Sequence, residues 1–139
     1  MSLVLMASML MVPVTNALTT TYATSVVSSS SVNYPNNALN APDGTIATVL
    51  PGGMLVVKMG TTPPSGAQIA INAYSSYTVI DVYCSSTGTG NWHYRGYIIV
   101  SGGYSWFTCS GSAHGGCQYF GFSNVGSGYC YIDSIRATY

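Results

Sequence analysis

Short strand-like runs recur about every dozen residues along most of the chain, and residues that favour turns separate them. Residues 77–84 alternate clearly, with Thr78, Ile80 and Val82 on one face. After residue 20 no sustained 3.6-residue periodicity is visible. This pattern predicts an all-β fold, an antiparallel jelly-roll β-sandwich. The other runs lie at 54–60, 67–74, 92–100, 104–109, 117–124 and 129–139.

Charged residues make up only 4% of the chain and sum to a net charge of zero, against about 25% charged residues in an average globular domain. Binding to nucleic acids requires basic patches, and binding to anionic membranes requires clusters of basic residues. The sequence therefore argues against both. A neutral surface rich in Ser, Thr, Asn and Tyr suits a protein that packs against copies of itself. It equally suits a protein that binds glycans.

The scarcity of acids also argues against an enzyme. Glycosidases place two carboxylates across the scissile bond, but this chain has three acids and no Glu. Asp43 sits in a Pro-Asp-Gly turn, where Asp commonly bonds its own backbone. The two histidines, His93 and His114, are expected to be surface or loop residues, and no Gly-x-Ser-x-Gly motif is present. We therefore expect no catalytic residues.

The four cysteines predict a disulfide-bonded protein. Cys84, Cys109, Cys117 and Cys130 form an even set without the paired Cys-x2–4-Cys spacing of zinc sites. Two disulfides in an oxidising, extracytoplasmic setting are the favoured interpretation. Of the three connectivities, we expect Cys109–Cys117 across the Gly-rich segment and Cys84–Cys130 between two strands.

The N-terminal segment is apolar and uncharged, and we divide the chain into an arm and hinge at 1–21 and a sandwich domain at 22–139. A signal peptide would have a basic start, and a membrane helix would be longer and free of Pro13. The third alternative is an assembly arm that inserts into a neighbouring subunit, and this is the one we expect. Its apolar residues are Leu3, Val4, Leu5, Met6, Met9, Leu10, Met11, Val12 and Val14.

A set of aromatic residues is the candidate ligand surface. Such side chains could stack on sugar rings, but Tyr and Trp are also frequent in packed faces and subunit contacts. We favour packing or subunit contact over sugar binding. The residues concerned are Trp92, Tyr94, Tyr97, Tyr104 and Trp106.

The order of motifs resembles the galactose-binding-like (discoidin-like) jelly-roll domains of secreted and surface proteins, over about residues 23–139. The motifs that carry this resemblance are Ala41-Pro42-Asp43-Gly44, Gly52-Gly53, Asn91-Trp92 and the Asp133 of the last strand. The resemblance implies that Asp43 and Asp133 could approach a structural calcium ion. Otherwise no cofactor is expected, and the chain departs from the family in having few acidic residues.

These observations lead us to expect a subunit of an extracellular, pilus-like or thread-like filament on the cell surface. Insertion of the arm into the next subunit would add main-chain hydrogen bonds. Because such a head-to-tail contact need not close into a ring, it generates a polymer. The expected partners are copies of the chain, with glycans as a further candidate, and we expect no membrane span in the assembled form. The alternative is a secreted carbohydrate-binding or adhesion module.

Overall fold

The computed structural model describes residues 17–139, and nearly all of their regular structure is β. The strands in this part of the chain pair antiparallel throughout, which confirms the predicted fold class. One short 3-10 helix, Pro35–Ala38, follows the first strand. The strands are β1 (Thr20–Asn33), β2 (Ala47–Met59), β3 (Gln68–Ser85), β4 (His93–Ser112), β5 (Tyr119–Asn124) and β6 (Cys130–Thr138).

Strands β2 and β3 are long enough to belong to both layers of the fold. Residues 68–74 of β3 pair with β6 and residues 80–85 pair with β5, while β4 follows β3 along most of its length. Strand β2 divides in the same way: residues 47–49 pair with β6 and residues 54–58 with β5. We call the layer around β5 the β5 sheet and the layer around β6 the β6 sheet.

The two sheets share one apolar core. Phe120 and Phe122 of β5 and Ile132 and Ile135 of β6 are fully buried within it. Each such side chain contributes about 1.5–3 kcal/mol when it leaves water. Side chains alternate along a strand, so the residues between the buried ones form the two outer faces of the sandwich.

The structure contains one disulfide, between Cys84 and Cys117, whose Cα atoms lie 5.6 Å apart. The expected pairs Cys109–Cys117 and Cys84–Cys130 are therefore wrong. The half of β3 that carries Cys84 pairs with β4 and β5, so β6 lies beside the other half and Cys130 is out of reach. Cys130 instead pairs with Val49 at the start of β6.

Cys109 and Cys130 are free, buried thiols. Burial raises the pKa of Cys109, and it raises the pKa of Cys130 from its ordinary value of 9.0 to about 12. Desolvation is the main cause at both positions, because it disfavours the charged thiolate. The two thiols thus behave as small apolar core residues.

The predicted assembly arm, from Leu3 to Val14, lies outside the described residues. Strand β1 begins at Thr20, and the division of the chain between residues 21 and 22 stays a prediction. Within residues 17–139, no helix has the length and apolar character needed to cross a membrane.

Candidate functional site: a cleft on the outer face of the β5 sheet

A cleft of about 380 Å³ lies on the outer face of the β5 sheet. Strands β1, β2, β5 and β3 form its floor, and the loop between β3 and β4 forms one wall. Its lining is largely apolar and aromatic, with a few hydroxyl groups, and none of the lining side chains is charged. The lining residues are Ser28, Met54, Val56, Tyr83, Gly88, Thr89, Trp92 and Gly121.

A glycine at the centre of β5 opens the cleft. Gly121 lies between the inward-facing Phe120 and Phe122, so a side chain at this position would point outward into the cleft. A Cβ atom there would lie 3.6 Å from Met54 Sδ and 3.6 Å from Cζ3 of the Trp92 ring. Because glycine has no Cβ, no side-chain atom of residue 121 occupies the floor beside the Trp92 ring.

The loop from Ser85 to Trp92 holds the indole ring over this floor. The Ser85 hydroxyl accepts hydrogen bonds from the amides of Thr87 and Gly88, each at 3.1 Å. It also donates to the carbonyl of Gly90. Local hydroxyl-to-backbone bonds of this kind stabilise turns, so the loop has a defined shape.

The same loop rests directly on the sheet. A Cβ atom added at Gly88 would lie 2.7 Å from the Tyr119 ring, and Gly88 has a φ of +76°, which glycine adopts without strain. Lys58 Nζ lies 5.8 Å from the centroid of the same ring. The loop therefore requires glycine at position 88 to pack this closely.

Polar groups lie at the edge of the cleft. The Tyr94 ring packs edge-on against Tyr83, with ring centroids 5.5 Å apart, and its hydroxyl donates to Asp81 Oδ1 at 3.4 Å. Desolvation and the nearby Asp81 carboxylate both raise the pKa of Tyr94. This edge thus offers a neutral phenol, a carboxylate and an aromatic ring side by side.

The predicted aromatic surface is divided between the two faces of the sandwich. Trp92, Tyr94 and Tyr97 lie on the cleft side. Tyr104 and Trp106 lie on the outer face of the β6 sheet, because β4 crosses from one sheet to the other near Gly102. Sequence spacing alone placed all five together, since nothing in it marked this crossing.

The outer face of the β6 sheet carries a second aromatic group, which we call the tyrosine face: Tyr74, Tyr104, Tyr131, Trp106 and Arg136. The Tyr74 ring lies 5.5 Å from Tyr104 and 5.6 Å from Tyr131, measured between centroids. Cζ of Arg136 lies 3.8 Å from the Trp106 ring centroid, a close cation–π contact. The tyrosines and Gly103 line an open recess of about 340 Å³.

Of the eight lining residues, sequence reasoning named Trp92 and missed the other seven: Ser28, Met54, Val56, Tyr83, Gly88, Thr89 and Gly121. Alternation in 77–84 already places Tyr83 on the face opposite the buried Ile80 and Val82. A glycine between two phenylalanines in 119–122 was a signal for an empty position on the outer face. Neither signal shows which strands lie side by side, and the cleft depends on that.

Asp43 and Asp133, the residues suggested for calcium, meet at a turn. Both oxygens of Asp133 accept backbone amides, from Asp43 at 3.0 Å and from Gly44 at 3.1 Å. Asp43 Oδ1 accepts the hydroxyl and the amide of Thr45, and these bonds lower its pKa. Calcium takes six to eight oxygen ligands, and residues 17–139 contain no group of three or more metal-binding side chains. The carboxylates already stabilise the turn, and a calcium ion here stays a prediction.

The chain matches no protein-family model and no curated protein sequence. Several solved structures share its fold. The C-terminal CBM6 of LamC, a marine laminarinase from Zobellia galactanivorans, superimposes with a TM-score of 0.61 at 19% identity, covering 88% of this chain and 100% of that one. The fold is a jelly-roll β-sandwich of the galactose-binding-like kind. The resemblance seen in the sequence is thereby confirmed at the level of the fold.

Two further structures come from carbohydrate-binding module family 29. A point mutant of such a module has a TM-score of 0.60 at 8% identity, covering 88% of this chain and 92% of that chain. A mutant of CBM29-2 complexed with mannohexaose has a TM-score of 0.57 at 8% identity, with the same two coverages. At these identities the likeness concerns the fold.

The interpretation as a filament subunit is wrong when set against these structures. The proteins that share the fold are named as carbohydrate-binding modules, and they favour the alternative that the sequence left open. The error came from the weight given to the apolar N-terminal segment, which lies outside the described residues. The jelly roll itself offers a cleft that does not require a partner subunit.

Proposed function

We propose that the chain is a secreted carbohydrate-binding module and that the cleft on the β5 sheet binds a neutral glycan. The observation that carries this proposal is the position of Trp92 beside Gly121, which has no side chain, in a cleft of about 380 Å³. Ligand sites are typically concave and mostly apolar, with a few placed polar groups. The fold neighbours, one of them complexed with mannohexaose, support the same ligand class.

The chemistry of the lining fits a sugar ring. A pyranose has faces of C–H groups, which pack on an aromatic ring, and a rim of hydroxyl groups. Trp92 and Tyr83 supply the rings, while Ser28 and Thr89 supply hydroxyl groups that both donate and accept hydrogen bonds. Since the lining carries no charge, a neutral hexose oligomer is favoured over a uronic acid or a sulfated sugar.

Binding without cleavage is part of the proposal. Hydrolysis of a glycosidic bond commonly uses two carboxylates about 5–10 Å apart. Asp81 lies at the cleft edge, where the hydroxyl of Tyr94 contacts it. The other two acids of the chain both stabilise the turn at 43–45: Asp133 accepts the amides of Asp43 and Gly44, and Asp43 accepts the amide of Thr45. A single carboxylate at the edge suits recognition of a sugar hydroxyl.

The disulfide supports an extracytoplasmic location. Cys84–Cys117 joins the end of β3 to the segment before β5, and such bonds form and persist in oxidising compartments. A secreted module would meet extracellular polysaccharides there.

The test is glycan binding by the disulfide-intact chain, first on a glycan array and then by calorimetry with the best ligand. We expect Trp92→Ala to weaken binding at least about tenfold, which corresponds to about 1.4 kcal/mol. Trp106→Ala is the matched control, because it removes the chain's other tryptophan from the opposite face. Absence of glycan binding by the unaltered chain, or equal losses in both variants, would overturn the proposal.

A further inference from the structure

The two histidines of the chain meet in the folded protein. His93 begins β4 and His114 lies in the loop before β5, 21 positions later in the sequence. Their ring centroids are 4.7 Å apart, and the ring planes are nearly perpendicular, at 88°. Both side chains are exposed, so their nitrogen atoms are accessible to a solute.

A series of contacts holds the backbones of the two histidines close together. His93 pairs with Cys84 across strands β4 and β3. Cys84 is bonded to Cys117, and the amide of Cys117 donates to the carbonyl of His114 at 3.3 Å. The disulfide therefore ties both histidines to one rigid part of the molecule, and this reduces the conformational entropy lost when a ligand bridges them.

We propose that His93 and His114 together bind one divalent transition-metal ion, with copper and zinc as the ions of choice. Imidazole nitrogen suits these metals and coordinates them at about 2.0–2.1 Å. Two imidazoles on one ion, at an angle of about 100°, place their ring centroids about 5 Å apart by simple geometry from these bond lengths. The observed 4.7 Å is close to that separation, and both side chains are exposed, so rotation of the rings can direct one nitrogen of each at the ion.

The rest of the coordination sphere is open. Within residues 17–139 no third His, Cys, Asp or Glu joins the pair to form a larger metal-binding group. Water completes the sphere, and the ion is bound reversibly. Affinity for copper exceeds that for zinc, following the general order of divalent metals.

The site is distinct from the cleft but adjoins it. His93 follows Trp92 directly in the sequence, and Trp92 lines the cleft. A bound ion would link the start of β4 to the loop before β5. It would thereby stabilise the backbone next to Trp92. The metal site stands on the histidine geometry alone and does not depend on glycan binding.

Calorimetry with copper and zinc chlorides tests the proposal, with the disulfide-intact chain in a buffer that does not bind metals. We expect one ion per chain, and a loss of at least about tenfold in affinity in His93→Gln and in His114→Gln. Because the two rings act as one site, each single variant should keep only the weak binding of one imidazole, and the double variant should bind neither metal at this position. Magnesium, which prefers oxygen ligands, is the control ion and should give no heat.

A second readout is thermal unfolding. Copper should raise the melting temperature of the unaltered chain, because a ligand that binds the folded state more tightly than the unfolded state stabilises the fold. The increase should disappear in both single variants, whose folding is checked without metal by circular dichroism. Two ions per chain with one retained in each single variant would indicate independent histidines and overturn the proposal. Failure of the unaltered chain to bind either metal would overturn it as well.

Discussion

The two outer faces of the sandwich are both aromatic, yet only one has a recessed, walled cleft. On the cleft face, the position beside Trp92 is occupied by Gly121, and a loop forms a wall above the sheet. On the tyrosine face, the position over Trp106 is occupied by the guanidinium of Arg136. The recess there, between Tyr74 and its neighbours, is open.

This difference shows that aromatic content alone does not make a binding site. Trp92 precedes β4 and Trp106 lies within it, but one ring lines the cleft and the other is covered by a cation. The covered ring stabilises the fold through packing and a cation–π contact. The uncovered ring retains its face for a ligand. The most direct test is to place a side chain beside Trp92 and to compare its effect with the same substitution on the tyrosine face.

The largest effect is expected from filling the cleft. Gly121→Leu places a side chain beside the Trp92 ring, where a Cβ already has ordinary contacts of 3.6 Å or more. The fold should accept it, but the space for the ligand is lost. We expect glycan affinity to fall at least about a hundredfold, which corresponds to about 2.7 kcal/mol, measured by calorimetry.

Gly103→Leu is the matched control on the tyrosine face. Nothing lies within 4 Å of a Cβ added there, so the same substitution fits without displacing a neighbour. Its glycan affinity should equal that of the unaltered chain. If Gly103→Leu weakened binding as much as Gly121→Leu, the tyrosine face and not the cleft would hold the ligand.

The sequence was sufficient to predict the class of the fold, because strand alternation reports directly on burial. Residues 119–124 show why: Phe120 and Phe122 point into the core, and the residues between them point outward. The pairing of the strands was harder to predict from the sequence. Since β3 changes partner from β6 to β5 along its length, the position of Cys84 depends on a bend that local sequence does not reveal. The expected disulfides failed for this reason.

The candidate site was predicted only in part. Trp92 and Tyr94 were named from their aromatic character, and both lie at the cleft or its edge. Gly121 could not be singled out among 16 glycines without the position of Trp92 over it. A cleft made by the absence of a side chain leaves little trace in a sequence.

A second, smaller effect concerns stability. Trp106→Ala removes the half-buried indole on which Arg136 stacks. We expect the free energy of unfolding to fall by about 2 kcal/mol, less than for a fully buried tryptophan because the ring is partly exposed. Urea unfolding measures this change. Trp92→Ala should have the reverse profile, with a small loss of stability and a large loss of glycan binding; equal profiles would mean that the two faces do not differ in role.

The smallest expected effect is on stability at high pH, and it arises from the cysteines, which differ between the two sheets. The β5 sheet carries the bonded Cys84, whereas β6 begins with the free thiol of Cys130, whose pKa burial raises to about 12. The unfolded chain releases this proton near pH 9 and the folded chain retains it, so the stability present below pH 9 is lost as the pH rises toward 12.

At pH 10 the thiol of Cys130 should therefore lower the free energy of unfolding by about 1 kcal/mol relative to pH 8. Cys130→Ala is the control, because it differs from the unaltered chain only in lacking this thiol. Urea unfolding at both pH values gives the two slopes. Identical slopes in the variant and the unaltered chain would mean that Cys130 ionises as readily in the folded protein as in the unfolded one, and that the thiol beneath the tyrosine face is open to solvent.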